Sequence, residues 1–250
     1  AYNTAIELKP NLPKTHNNLG LALQERGDIN AAIASFNKAI ELNPNFTDAH
    51  FNLGNALKEK GDLTAAIDSF NTALHLKPNF PDAHINLGNA LQEKGDLTAV
   101  IATCNKALEL IPNFPEAHFN LGNALKEQGD LSAAIDSFNR ALQLKSNFQE
   151  ARSNLGAALY EQDNLTAAIA AYNTAIELKP NLPKTHNNLG IALQEKGDIN
   201  AAIASFNKAI ELKPDYSEAH LYLSMLKLLK GNYKKGWETY EYRLQCKQGQ

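Results

Sequence analysis

The pair Leu-Gly recurs six times at one distance: Leu19-Gly20, Leu53-Gly54, Leu87-Gly88, Leu121-Gly122, Leu155-Gly156 and Leu189-Gly190, each 34 residues after the last. No other feature constrains the fold as tightly. A period between about 20 and 50 residues means stacked supersecondary units instead of one globular core. Two more markers keep the register. Gly-Asp falls at Gly27-Asp28, Gly61-Asp62, Gly95-Asp96, Gly129-Asp130 and Gly197-Asp198, with Asp163-Asn164 and Gly231-Asn232 in the remaining slots. Proline falls at Pro10, Pro44, Pro78, Pro112, Pro180 and Pro214, with Ser146 the interior gap. The period divides the chain into a fragment, Ala1 to Leu12, six complete units, Pro13 to Tyr216, and a divergent seventh, Ser217 to Gln250.

Each unit reads as two helices. In the second complete unit Ala49, Leu53, Ala56 and Leu57 recur at helical spacing until Gly61-Asp62 stops the first helix. Asp62 or Thr64 is placed to cap the second, whose Ala66, Ile67, Phe70, Ala73 and Leu74 form an apolar stripe ending before Pro78. Small residues, Gly54 on the first helix and Ala66 and Ala73 on the second, let the pair approach closely. One such hairpin cannot bury its own apolar face, so neighbours must stack.

Gly20, Ala32, Phe36, Ala39 and Pro44, with their 34-residue echoes, resemble the signature of the tetratricopeptide repeat family over essentially the whole chain. That resemblance implies an all-α, right-handed superhelical solenoid of antiparallel helix pairs, with first helices lining the concave surface. The sequence departs from the family pattern in three slots. The early aromatic is His16, His50, His84, His118, His186 and His220, or Arg152. The later Tyr slot is Leu, and the aromatic of the second helix becomes Cys104 in one unit. Residues Ala1 to Leu42 also recur as Ala171 to Leu212, differing only at Leu21/Ile191 and Arg26/Lys196. Such close agreement at exposed positions marks a recent duplication.

The composition narrows the function. A net charge of −3 argues against general nucleic-acid binding, which needs clustered Lys and Arg. No stretch approaches the roughly 18 apolar residues of a membrane span. Two widely spaced cysteines, Cys104 and Cys246, form no paired framework. A reducing, cytoplasmic location is expected. No phosphate loop, H-E-x-x-H or nucleophile motif is present, and no catalytic site, cofactor or metal is expected. The six aligned histidines do not change this, because helices about 8–10 Å apart spread imidazoles that zinc would need at roughly 2 Å.

Asparagine carries the better signal. Asn18, Asn52, Asn86, Asn120, Asn154 and Asn188 share one slot, and Asn55, Asn89 and Asn123 follow three residues later on the same helix face. Amides ranked across parallel helices can clamp the backbone of an extended peptide without selecting its side chains. The row is similar to the asparagine ladder in the repeats of O-linked N-acetylglucosamine transferases, where it holds substrate polypeptide. The competing reading is that this Asn belongs to the repeat architecture and bonds between repeats. Phe51, Ile85 and Phe119 precede the central amides and are expected to offer apolar side pockets. Acidic rows, Glu25, Glu59, Glu93, Glu127, Glu161 and Glu195 among them, favour a neutral or basic partner segment.

The seventh unit changes character. Tyr222, Met225, Leu228 and Leu229 occupy slots that are mostly polar elsewhere, giving a helix apolar nearly all round. With Trp237 they form a candidate docking face, for a second copy or for the tail. The run from Gly231 to Arg243 is similar to the closing repeat of bacterial arrays that lead into glycosyltransferase domains. Three expectations follow: a non-catalytic scaffold for an extended polypeptide, the substrate-selecting arm of a larger glycosyltransferase, or a self-assembling array.

Overall fold

A Gly-Asp pair ends one helix and starts the next, and the computed structural model, which describes residues 11–241, shows how. Gly61 has φ +88°, the left-handed conformation that glycine adopts without strain. It lets the Gly61 N–H reach the Lys58 carbonyl and the Asp62 N–H reach the Leu57 carbonyl, both at 2.9 Å. These are the two bonds of a Schellman motif, which satisfy carbonyls the helix leaves unpaired. The Asp62 carboxylate then accepts the Ala65 N–H at 3.1 Å and caps the following helix, a contact of about 0.5–2 kcal/mol. Asp28, Asp96, Asp130 and Asp198 cap in the same way, as does Asn164. Where the pair is Asp163-Asn164, Asp163 takes the left-handed turn itself, with φ +66°.

Fourteen helices follow in order among the described residues, and no strand is present there. The first helices of successive pairs are α1 (Pro13–Glu25), α3 (Thr47–Lys60), α5 (Pro81–Glu93), α7 (Pro115–Gln128), α9 (Gln149–Glu161), α11 (Pro183–Glu195) and α13 (Ser217–Leu229). The second helices are α2 (Ile29–Leu42), α4 (Leu63–Leu76), α6 (Leu97–Leu110), α8 (Leu131–Leu144), α10 (Leu165–Leu178), α12 (Ile199–Leu212) and α14 (Tyr233–Tyr240). Most of the fragment Ala1 to Leu12 and the tail after Glu241 lie outside the described residues.

The chain forms two compact units, one up to Gln128 with α1–α7 and one from Gly129 with α8–α14. Within each, every helix packs on its sequence neighbours, and first helices also touch the first helix of the next pair. In the first, second, fifth and sixth complete pairs the core is one aromatic ring under a glycine. Phe36, Phe70, Tyr172 and Phe206 are fully buried. A Cβ on Gly54 would stand 2.6 Å from the Phe70 ring, and one on Gly156 or Gly190 would stand 2.7 Å from Tyr172 or Phe206. The third complete pair differs. Its aromatic is Cys104, and a Cβ on Gly88 would meet only the Asn120 amide nitrogen, at 3.4 Å. Asn120 thus approaches the glycine that a ring covers elsewhere.

Candidate peptide-binding face

The histidine slot is architectural. Nε2 of His50, His84, His118, His186 and His220 lies 2.8, 2.8, 3.2, 2.9 and 2.8 Å from the carbonyl of the proline six residues earlier. A carbonyl can only accept, so each Nε2 carries the proton. The bond ties a first helix to the loop that leads into it. Where Ser146 replaces proline, Arg152 replaces histidine and donates to the Ser146 carbonyl instead. Burial lowers the His84 pKa, with Lys106 adding a smaller push in the same direction against the Pro78 bond. Among the described residues no group of three or more His, Cys, Asp or Glu side chains is placed to hold a metal. The Cys104 thiol is buried, which pushes its pKa up to about 12.

The asparagine row is partly tied together. The Asn52 amide donates to Asn17 Oδ1 at 3.0 Å, and Asn86 donates to Asn55 Oδ1 at 2.7 Å, each bond running from one repeat to the preceding one. Asn188 donates to the Tyr172 hydroxyl, whose pKa is nonetheless raised, chiefly by burial. Asn89 is half-buried on the same face with no partner among the described residues, and Asn18 is exposed. Asn123 and Asn154 are half-buried and engaged in contacts of their own. Asn120 is 6% exposed and does not stand open as a ladder amide.

Two of the expected side pockets are filled. Phe51 packs against Phe70 and Phe80, with ring centroids 6.0 and 4.8 Å away. Ile85 packs against the buried cluster of Ala107, Phe114 and Ala117. One step along a helix turns about 100°, which carries the residue before each ladder Asn off the open face and between repeats. Phe119 is half-buried beside Asn120 in sequence. The same inward slot holds Asn17, Ser153 and Asn187 in other repeats, residues that sequence reasoning passed over. Ser153 and Thr185 share a 2.8 Å hydrogen bond across repeats.

A second ladder runs along the ends of the first helices. Gln24 donates to Glu59 at 2.8 Å, Lys58 pairs with Glu93 at 3.0 Å and Gln92 donates to Glu127 at 2.8 Å. In the second unit the Tyr160 hydroxyl donates to Glu195. Each residue is thus joined to the glutamate 35 positions on. Spacing could have revealed this pairing, since the slot before every such glutamate holds Gln, Lys or Tyr.

Both ladders stop at α13. Tyr222 and Leu229 stand where Asn52 and Glu59 stand 170 residues earlier. Asn187, the counterpart of Asn17, is 0% exposed with neither amide atom bonded, and Gln194 Oε1 is buried without a partner. Of the five residues expected to form a docking face, Met225, Leu229 and Trp237 are exposed, at 38%, 73% and 58%. Tyr222 instead stacks on Phe206 with ring centroids 5.5 Å apart, and Leu228 packs under Gly236.

These features define an all-helical repeat array in which short-range caps set each hairpin and polar ladders join one hairpin to the next. The chain belongs to the tetratricopeptide repeat family. The family's profiles match residues 1–34, 22–61, 54–95, 93–129, 122–163, 158–197 and 183–216. Among solved structures it is similar to YrrB, described as a TPR protein with an unusual peptide-binding site, at 25% identity and a TM-score of 0.62. That match covers 79% of this chain and 98% of YrrB. MamA matches at 28% identity and a TM-score of 0.59, covering 66% of this chain and 97% of MamA. The pilF product of Pseudomonas aeruginosa, 19% identical with a TM-score of 0.72 and coverage of 85% and 97%, shares the fold. No curated protein matches the sequence. No helix among the described residues is long and apolar enough to cross a membrane.

Proposed function

We propose that this chain is a non-catalytic scaffold whose first-helix face in the unit up to Gln128 binds an extended polypeptide. The observation that carries the reading is the Asn86–Asn55 bond beside the unpartnered Asn89 amide. Whichever way the two bonded amides are oriented, the pair keeps one N–H₂ edge and one carbonyl edge for a ligand. A peptide backbone offers the complementary carbonyl and N–H. YrrB, a relative with a peptide-binding site, supports the class of ligand. The exposed glutamates at the ends of α1, α3 and α5 favour a neutral or basic segment.

Asn89→Ala is the informative test, because Asn89 has no structural bond to lose. Peptides selected from a random library against the full chain should bind the variant several-fold more weakly, each lost amide contact being worth about 0.5–1.5 kcal/mol. The melting temperature should stay put. Unchanged affinity for every selected peptide would overturn the reading. Asn86 and Asn120 are poorer probes, since one holds Asn55 and the other is buried.

A second reading is favoured by the exposed Met225, Leu229 and Trp237. Apolar groups gathered at one end of an array are a docking face for a second copy or for a following domain, whether a glycosyltransferase domain or another. Concentration-dependent light scattering of the full chain and of Leu229→Glu tests it, and identical monomeric behaviour of both would count against self-assembly.

A further inference from the structure

We propose that the cleft between α4 and α6, on the second-helix side, is a binding site for a carboxylate carried on a small apolar group. The cleft has a volume of about 480 Å³. Leu74, Leu87 and Leu110 give it apolar walls, and His75, His84 and Lys106 supply its ionisable groups. No carboxylate lines it. By contrast, the related cleft beside α8 carries Asp136 next to Arg140 and Arg152.

Three local features meet here. His75 stands where the other complete repeats have Glu41, Glu109, Glu177, Glu211 or Gln143, so an acidic or neutral side chain has become a basic one. Lys38 and Lys208 are neutralised three residues on, by Glu41 at 2.7 Å and Glu211 at 2.6 Å. Lys106, with Glu109 at the same spacing, forms no such pair and lines the cleft instead. Finally, His84 is 6% exposed and its Nδ1 has no partner, while its Nε2–H is committed to the Pro78 carbonyl.

A carboxylate seated between Lys106 and His75 finds charge-assisted hydrogen bonds. Its apolar body meets the leucines. A peptide ending in an apolar residue and a free short-chain acid both carry this chemistry.

The test titrates the full chain with three probes: N-acetyl-Gly-Leu with a free carboxylate, its C-terminal amide, and 4-methylpentanoate. Backbone amide shifts are followed by NMR. The free acid should shift residues 71–110, and the amide should bind at least tenfold more weakly. His75→Glu restores the residue that most other repeats carry and should keep the fold while weakening the acid at least tenfold, as should Lys106→Gln. Binding by both acids identifies the carboxylate head as sufficient, and binding by the peptide alone identifies a chain terminus as the source. No shift in 71–110, equal binding of acid and amide, or unchanged affinity in both variants overturns the proposal. None of these results bears on the first-helix face, whose test uses Asn89.

Discussion

Asn17 and Asn187 are the same residue of one duplicated segment, yet Asn17 accepts a hydrogen bond from Asn52 and Asn187 bonds to nothing. The duplicated segments that carry them differ at two residues in forty-two, and the Asn52 that bonds Asn17 has Tyr222 as its counterpart beside Asn187. A buried polar group left unpaired costs about 1–3 kcal/mol. Asn187→Leu should therefore raise the stability of the chain by about 1 kcal/mol or more. Asn17→Leu, which breaks a formed bond, should lower it by about 0.5–1.5 kcal/mol. Urea denaturation of the two variants reads the opposite signs, and equal signs would mean that Asn187 has a partner in solution.

The glycines of the first helices should respond differently to alanine. Gly54→Ala drives a methyl to 2.6 Å from the Phe70 ring and should cost about 1–3 kcal/mol. Gly88→Ala meets only the Asn120 amide at 3.4 Å, and alanine gains about 1 kcal/mol of helix propensity. Thermal melts should show a clear loss for the first and little change or a small gain for the second.

His84 should give the chain a stability that falls in mild acid. Burial lowers its folded pKa, whereas the unfolded ring titrates near about 6.5. Below that value the unfolded state binds the proton and the folded state resists it, so stability drops as pH falls and recovers as it rises. His84→Phe removes this contribution. Its urea midpoint between pH 5 and 8 should change less with pH than that of the parent, and parallel curves would count against the assignment.

What could be read ahead of the structure was local. Gly61 and Asp62 act within four residues of themselves, so helix ends and caps follow from the pattern alone, whereas the ring that lies under Gly54 came only with the structure. The slot of the asparagine row was also legible, but its bonding was not. Asn86 meets Asn55 thirty-one residues away, and that pairing depends on the rotation between neighbouring hairpins. The 100° step from each ladder Asn to the residue before it took Phe51 and Ile85 inward, where a flat reading of the helix face had put them outside. Asn120 was misplaced for another reason. Its burial follows from Cys104, a small residue in a different helix, whose effect on packing no periodicity records.

The duplicated segment has a consequence for how arrays of this kind change length. A crossover that joined Leu212 of one gene copy to residue 43 of another would insert 170 residues, five whole repeats, without breaking any helix. The newcomer would bring Asn52 and Glu59 to the seam that Tyr222 and Leu229 now occupy. The new junction would match one the present chain already contains except for Ile191 in place of Leu21 and Lys196 in place of Arg26, and the inner copy of Asn187 would regain the amide that Asn17 has. Growth by that step adds almost no untested interface for selection to repair, and it leaves the seam under Tyr222 and Leu229 at the end of the array, where it already stands.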